Sequence, residues 1–217
     1  MTSKQKILVV IPTTGSRLSI LQQVIDSVYS NKQFDIKTVI VKNGTYPDDE
    51  FLSYDFGYSN IIKTSSQPGG HLAVAMNKGL EYLTDEDWYI YQEDDLIINT
   101  PNWLDLITGL SRGIPNCGVF GTRLHGGQRK YNPRKEYTIE SLKVKDMDTF
   151  EVYWTDGVTL VSGDIMRKHN IKYDEYMMTV PNADLNLQML EHGYENWRTE
   201  LDYDHHHTPG SKTGTPK

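Results

Sequence analysis

The first part of the chain alternates short apolar runs with segments whose apolar residues recur at helical spacing. Residues 7–11 form a continuous, mostly β-branched run, which is typical of a parallel strand covered on both faces. Ser16 suits a helix N-cap, and the apolar positions after it follow helical spacing: Leu18, Leu21, Ile25 and Val28. A second apolar run at 38–41 completes a strand–helix–strand unit. This order predicts a parallel sheet with a right-handed crossover.

The same alternation repeats further along the chain. Residues 46–60 are acidic and aromatic without clear periodicity, and we predict a surface loop there with room for one helical turn. Residues 61–64 predict a third strand. A helix follows, with one face formed by Leu72, Met76, Leu80 and Leu83. Residues 88–98 open on an aromatic and apolar run that predicts a buried strand. The chain is therefore predicted to be α/β, with a mostly parallel central sheet flanked by helices.

The second half of the chain predicts shorter elements. They are a strand at 118–121, a strand pair or one bulged strand at 152–161, a helix at 163–169 and a helix at 182–193. We expect the last helix to face inward with Leu187 and Leu190 and to stop at Gly193.

Composition restricts the class of protein. At 217 residues the chain fits one large domain, and its 37% hydrophobic content is typical of a globular protein. No apolar run approaches the ~20 residues that a membrane span needs, and residues 7–11 are too short for a signal-peptide core. The only cysteine, Cys117, excludes an internal disulfide and predicts a cytoplasmic location. The net charge of −7 argues against indiscriminate binding to nucleic acid.

Three consecutive carboxylates, Glu93, Asp94 and Asp95, follow the apolar run at 88–91. Like charges this close repel one another, so a cation is expected to hold them together. Hard oxygen ligands suit Mg²⁺ or Mn²⁺, and a metal held by one or two carboxylates is typically completed by substrate phosphates. A solvated acidic turn would show the same residues. Ligands of such sheets bind at the C-terminal ends of the strands, where this run lies.

Several segments, in order, resemble the family-two-type nucleotide-sugar glycosyltransferases of the GT-A fold. Residues 7–14 are similar to the opening strand that ends in Pro-Thr, and 39–45 to the second strand with its Asp- or Asn-Gly turn. Residues 70–79 resemble the Gly-containing loop and the Ala-Arg-Asn-x-Gly helix start. Residues 91–95 resemble the strand and Asp-x-Asp motif, which 102–104 continue like the family's Pro-x-Trp-Leu.

This resemblance covers roughly the first half of the chain. It implies a single GT-A (Rossmann-like) domain over residues 1–217, with a nucleotide-sugar half at about 1–100, an acceptor half at about 101–207 and a flexible tail at 208–217.

The resemblance also implies a donor site for a nucleoside-diphosphate sugar. The residues expected to contact that donor are Pro12, Thr13, Thr14, Arg17, Asn43, Gly44, Gly70, Asn77, Glu93 and Asp94. Two positions depart from the family pattern: Glu93 replaces the first Asp of Asp-x-Asp, and Met76 replaces an Arg beside Asn77.

Asp95 is the implied ligand of Mn²⁺ or Mg²⁺. Members of the fold often complete the metal site with a C-terminal His, and neutral imidazole is a good ligand for Mn²⁺. In an extended segment His205 and His207 face one way and His206 the other, so the first two are predicted ligands.

The general base is left open by the sequence. Residues 182–193 look like the family's Glu-Asp-x-Asp-Leu helix, whose acidic pair supplies the base in inverting members. Here Pro181 and Asn182 stand at those two positions, and only Asp184 remains. Asn cannot accept a proton at neutral pH, so the base is Asp184, another acid such as Asp156, or absent, as in a retaining mechanism.

One concentrated basic region, residues 123–135, includes Arg129, Lys130 and Arg134 around the aromatic Tyr131. It fits a lid over a diphosphate, an acceptor-binding loop or a solvated loop. The hypothesis is a metal-dependent glycosyltransferase that moves a sugar to a saccharide or other soluble hydroxyl acceptor. A hydroxylated base in DNA ranks second as acceptor. A nucleotidyltransferase and a catalytically inactive nucleotide-sugar-binding protein are the competing hypotheses.

Overall fold

The computed structural model describes residues 3–44, 47–66, 71–122, 136–137, 149–152, 155–176 and 181–206. The elements follow in this order: β1 (Lys6–Thr13), α1 (Leu18–Tyr29), β2 (Asp35–Lys42), α2 (Asp48–Ser53), β3 (Ile61–Ser65), α3 (Leu72–Leu80), β4 (Trp88–Tyr91), β5 (Leu96–Ile98), α4 (Trp103–Gly113), β6 (Cys117–Thr122), β7 (Glu136–Tyr137), β8 (Thr149–Val152), β9 (Asp156–Ser162), α5 (Gly163–His169), α6 (Pro181–Glu191), β10 (Glu195–Thr199) and β11 (Tyr203–His205).

In the described part of the chain, nine strands form the central sheet, in the order β3-β2-β1-β4-β9-β6-β10-β8-β7. The four strands from β3 to β4 pair in parallel, and β6 pairs in parallel with β10. Among the described strands of this sheet, β9 and β8 run against the others. The predicted α/β fold with a mostly parallel sheet is confirmed.

The predicted β1 is buried on both faces, because residues 7–11 are all inaccessible to solvent. Ile7, Val9 and Ile11 pack on one face with α1 and α4. Leu8 and Val10 pack on the other face with α3, α5 and α6. Helices on both sides of a parallel sheet explain why this strand is a continuous apolar run instead of an alternating one.

Two predictions in the second half need correction. Of the two alternatives for residues 152–161, the strand pair is wrong, because β8 lies between β10 and β7 while β9 lies between β4 and β6. Strand β9 by itself is irregular, since its pairing with β6 shifts register between Thr159 and Asp156. Helix α6 turns Leu185 and Met189 into the core, while the side chain of Leu187 is 51% exposed. Positions 185 and 189 share one helix face with Pro181, whereas position 187 lies on the opposite face. Because α6 has apolar residues on both faces, its sequence does not determine which face is buried, and packing against the sheet does.

The loop predicted at 46–60 contains a short helix, α2, whose Phe51 is fully buried. No helix among the described residues is long and apolar enough to span a membrane.

A histidine pair joins the ends of α5 and α6. The rings of His169 and His192 stack with centroids 4.0 Å apart, and His169 Nε2 lies 3.1 Å from the Tyr194 hydroxyl. Partial burial, the neighbouring His192 and the charge of Lys168 all lower the pKa of His169 below its ordinary 6.5. The folded protein therefore binds a proton at this site less readily than the unfolded chain does.

We expect this site to stabilise the fold fully above pH 6.5 and to lose that contribution as the pH falls through the lowered pKa of His169. His169→Gln should therefore flatten the dependence of unfolding free energy on pH in this range. Urea unfolding of both proteins at a series of pH values measures the effect. An identical pH slope in the variant would contradict the assignment.

Candidate active site

The three consecutive carboxylates Glu93, Asp94 and Asp95, here called the acidic run, follow the C-terminal end of β4, beside the C-terminal end of β1. The Thr13 hydroxyl donates a hydrogen bond to Asp94 Oδ2 at 2.6 Å, and the backbone N–H of Gly15 donates to Thr13 Oγ1 at 3.0 Å. Gln92, which is buried, donates through Nε2 to the backbone oxygens of Glu93 at 3.1 Å and Leu96 at 2.8 Å. These contacts fix the turn that presents the carboxylates.

Arg17 lies between two of the carboxylates. Its Nη2 is 3.2 Å from Asp94 Oδ1, its Nη1 is 3.2 Å from Asp95 Oδ2, and Nη1 also donates to the backbone oxygen of His206 at 2.7 Å. The Arg17 guanidinium thus offsets the repulsion between the carboxylates of the acidic run.

Arg17, not Ser16, is the N-cap of α1, so the predicted Ser16 cap is wrong. Instead, Ser16 Oγ lies 2.9 Å from Thr14 Oγ1.

His205 meets the acidic run because β11 pairs antiparallel with β5, which places His205 opposite Leu96. The backbone N–H of His206 also donates to the backbone oxygen of Asp95 at 2.9 Å. His205 Nε2 consequently lies 3.3 Å from Asp95 Oδ1 and 3.5 Å from Glu93 Oε2. The structure therefore brings together the predicted residues Glu93, Asp95 and His205.

The environment shifts the pKa values of this group in opposite directions. Burial raises the pKa of Asp94 against the opposing effects of Thr13 and Arg17. At Asp95 burial acts the same way, but His205 and Arg17 outweigh it and lower the pKa. For His205, burial disfavours the protonated ring, yet the hydrogen bond to Asp95 and the charges of Glu93 and Asp95 raise its pKa. The neighbouring carboxylates therefore favour the protonated form of His205, while Arg17 supplies a permanent positive charge that faces Asp94 and Asp95.

The same residues fit a divalent cation. One ligand atom from each of Glu93, Asp95 and His205 lies within 4.8 Å of the others, so a single ion can reach all three. Two carboxylate oxygens and one imidazole nitrogen are a donor set that suits Mn²⁺ and accommodates Mg²⁺ less well. All three residues are partly exposed, so the group is accessible from solvent.

The loops after β1 and β2 touch each other beside this group. The N–H of Asn43 donates to the Thr13 oxygen at 2.9 Å, and a Cβ added to Gly44 would lie 2.6 Å from the Thr14 oxygen. A side chain at position 44 would therefore push the two loops apart. Pro12 continues β1 opposite Val41, so the predicted donor residues Pro12, Thr13, Thr14, Asn43 and Gly44 form one continuous edge.

Two residues at this edge were missed by the sequence reasoning. Lys42 is 95% buried at the end of β2, where it forms an ion pair with Asp48 beneath Gly15. Gln92 holds the acidic turn as described above. The available signal was the same in both cases, because each is a polar residue placed directly after a buried apolar strand.

Asn77 has its described partners in the segment between α5 and α6. Its Oδ1 accepts from the N–H of Tyr173 at 2.8 Å, and its Nδ2 donates to the Tyr173 oxygen at 2.8 Å and to Glu175 Oε1 at 3.0 Å. A side-chain role for this residue was expected from its poor helix propensity.

The remaining predicted residues are placed as follows. Asp184 Oδ2 accepts from the N–H of Asp174 at 2.7 Å and from Gln188 Nε2 at 2.9 Å. Asp156 begins β9 with its backbone opposite Thr122. The residues that lie outside the described part of the chain are Gly70, Arg129, Lys130, Arg134 and His207.

Comparison with known proteins gives a family match and structural neighbours. A family model described as glycosyl transferase family 2 matches residues 8–172. No curated protein sequence matches the chain significantly.

One similar solved structure is S. aureus TarS 1-349 in complex with UDP-GlcNAc, with a TM-score of 0.66 and 13% identity over 95% of this chain and 60% of that one. Another is GalNAc-T7 with UDP, GalNAc and Mn²⁺, with a TM-score of 0.69 and 11% identity over 93% of this chain and 44% of that one. The chain thus spans about half the length of these proteins, and the likeness is one of fold.

Proposed function

Since the chain belongs to glycosyl transferase family 2, we propose that it transfers a sugar from a nucleoside-diphosphate sugar to a hydroxyl acceptor. The observation that carries this proposal is the convergence of Glu93, Asp95 and His205 at the sheet edge formed by β1 and β4. Proteins of the same fold have been crystallised with UDP-GlcNAc and with UDP, GalNAc and Mn²⁺, which supports a donor of this class.

The chain's own residues account for donor binding in this proposal. Glu93, Asp95 and His205 would hold a divalent cation, which would stabilise the negative charge of the departing diphosphate. Arg17 is already anchored on Asp94 and Asp95 and adds a fixed positive charge at the same place. The edge from Pro12 to Thr14, together with Asn43 and Gly44, binds the nucleoside. Asp94, which is oriented by Thr13, accepts a hydrogen bond from a hydroxyl of the donor.

The proton acceptor is the open part of the mechanism. Asn182 replaces an acid of the family pattern, so an inverting reaction would depend on Asp184 or Asp156, while a retaining reaction would need neither. Proton magnetic resonance of the freshly formed product gives its anomeric configuration. Inversion together with at least ~10²-fold lower kcat at an unchanged acceptor KM in Asp184→Asn would assign the base to Asp184, because loss of a positioning role would raise that KM instead.

A thermal-shift panel of nucleoside diphosphates and nucleotide sugars, with and without Mn²⁺, tests the proposed function. A ligand at about 100 times its Kd stabilises the folded state by about 2.7 kcal/mol, which for a chain of this size raises Tm by about 5–10 °C. We expect such a shift only when metal and the correct nucleotide are present together. The identity of the stabilising nucleotide names the base of the donor.

Products separate the competing enzyme classes. Incubation with the stabilising nucleotide sugar, Mn²⁺ and a hydroxyl acceptor or water should release a nucleoside diphosphate. A nucleotidyltransferase would instead release pyrophosphate from a nucleoside triphosphate and a sugar phosphate. Stabilisation without any product would identify a binding protein. The proposal fails if no nucleotide in the panel shifts Tm.

A further inference from the structure

On the basis of the proposed function, we propose that residues 172–176, here called the acceptor wall, bind a saccharide acceptor. Tyr176 is the contact residue of this wall, and Asn77 and Asp184 are its positioning residues. The proposal combines four observations: two sets of hydrogen bonds that brace the segment, its packing on the face of β4 that leads to the acidic run, and the exposure and charge of its outer side chains.

Asn77 braces the acceptor wall from the donor half of the chain. Its carboxamide accepts a hydrogen bond from the backbone N–H of Tyr173 and donates one to the backbone oxygen of Tyr173, both at 2.8 Å. A neighbouring strand would make the same pair of contacts. The same Nδ2 reaches Glu175 Oε1 at 3.0 Å. Three contacts from one side chain in the middle of α3 therefore fix the backbone and one carboxylate of the wall.

The second brace comes from α6. Asp184 Oδ2 accepts from the N–H of Asp174 at 2.7 Å, and Gln188, one turn further along the same helix, donates to the Lys172 oxygen at 2.7 Å. Gln188 Nε2 also donates to Asp184 Oδ2 at 2.9 Å, so the two helix residues act together. The wall is thus held between α3 and α6.

The acceptor wall lies on the side of the sheet that leads to the acidic run. The hydroxyls of Tyr173 and Tyr89 are 3.0 Å apart and buried. Tyr89 and Tyr91 point to the same face of β4, where they pack in one cluster with Tyr173. Glu93 follows Tyr91 by two residues, so the wall packs on the face of β4 that leads to the acidic run. In this proposal an acceptor bound against the outer side of the wall faces the donor held at that run.

The outer side chains of the wall suit a saccharide. Tyr176 is 93% exposed, and its N–H donates to Asp174 Oδ1 at 2.9 Å, which fixes the residue at the end of the braced segment. A phenol ring offers an apolar face for a sugar ring and a hydroxyl at its edge. The carboxylates of Asp174 and Glu175 accept hydrogen bonds from sugar hydroxyls. Residues 172–176 carry two negative charges, Asp174 and Glu175, and one positive charge, Lys172. This net negative charge disfavours an anionic acceptor such as DNA.

The test uses the donor chosen by the thermal-shift panel and the 4-nitrophenyl glycosides of glucose, galactose and their N-acetylamino forms as acceptors. Wild-type protein should transfer sugar to at least one glycoside. Tyr176→Ala should raise the KM for that glycoside about tenfold, the equivalent of one lost ring contact, while Tyr176→Phe stays within about twofold. Leu187→Ala, which truncates another exposed apolar residue, is the matched control and should behave as the wild type.

Asn77→Asp tests the positioning role, because it removes the donation to Tyr173 and adds a charge facing Glu175. We expect the KM for the glycoside to rise at least about tenfold more than the Kd for the donor nucleotide, since the cost falls on the wall. A larger loss of nucleotide affinity than of glycoside affinity would overturn the positioning role and make Asn77 a nucleoside ligand.

The inference and the proposed function fail in different ways. If donor binding and donor hydrolysis proceed but no glycoside is glycosylated, the acceptor wall is wrong while the proposed function stands. Transfer to a DNA duplex with hydroxymethylated bases, in place of the glycosides, overturns the saccharide assignment. Glycoside transfer that Tyr176→Ala leaves unchanged overturns the contact residue. If the donor neither binds nor turns over, the proposed function itself fails.

Discussion

Asp95→Asn is expected to abolish Mn²⁺-dependent nucleotide binding and to lower sugar transfer by about 10²–10⁴-fold, because the metal contributes several kcal/mol of charge stabilisation. Asp95 faces His205 at 3.3 Å and Arg17 at 3.2 Å, so the change removes the charge at the centre of the cluster while preserving its shape. Calorimetric titration of the nucleoside diphosphate with and without Mn²⁺ measures the binding effect, and release of the diphosphate measures turnover.

Two neighbouring histidines provide a matched pair for this prediction. His205→Gln removes the imidazole that lies against Asp95 and Glu93 and should weaken the metal-dependent binding at least about tenfold. His206→Gln should have little effect, since the described contacts of His206 with Arg17 and Asp95 use backbone atoms. Metal-dependent affinity that survives in Asp95→Asn, or a larger loss in His206→Gln than in His205→Gln, would contradict the proposed metal site.

Gly79→Ala is expected to lower the free energy of unfolding by about 1–3 kcal/mol, the usual cost of overpacking a core. A Cβ at this position would lie 2.3 Å from Val10 Cγ1, where α3 crosses the sheet. Val10 is fully buried in β1, opposite Val39 on one side and Tyr91 on the other. Because β1 is hydrogen-bonded on both sides, α3 must move instead, and urea unfolding will measure the loss.

Gly109→Ala is the control, because it makes the same change in α4 at a position where an added Cβ meets no atom within 4 Å. Alanine is the better helix former, so this variant should gain up to about 1 kcal/mol. Opposite signs for the two variants would show that the contact with Val10, and not helix propensity, decides the effect. Equal stability changes would contradict the close packing of α3 on β1.

The parts of the fold predicted correctly from sequence are those determined by residues close to one another in the chain. Each of these parts has a local sequence pattern. Residues 7–11 and the strand before Glu93 are continuous apolar or aromatic runs, and Leu21 and Ile25 follow helical spacing. The wrong predictions concern which strand pairs with which and which face of a helix is buried. Leu187 and Leu185 are both leucines on α6, and only the sheet beneath the helix determines which one is buried.

For the site, the sequence by itself determined the acidic run and the polar edges after β1 and β2. The tertiary structure decided that His205 reaches Asp95, that Arg17 joins Asp94 to Asp95, and that Asn77 braces Tyr173. The reason is physical. These contacts follow from pairing of β5 with β11 and from helix packing, which rest on backbone hydrogen bonds and shape. Such interactions join residues far apart in the chain and leave little trace in residue type.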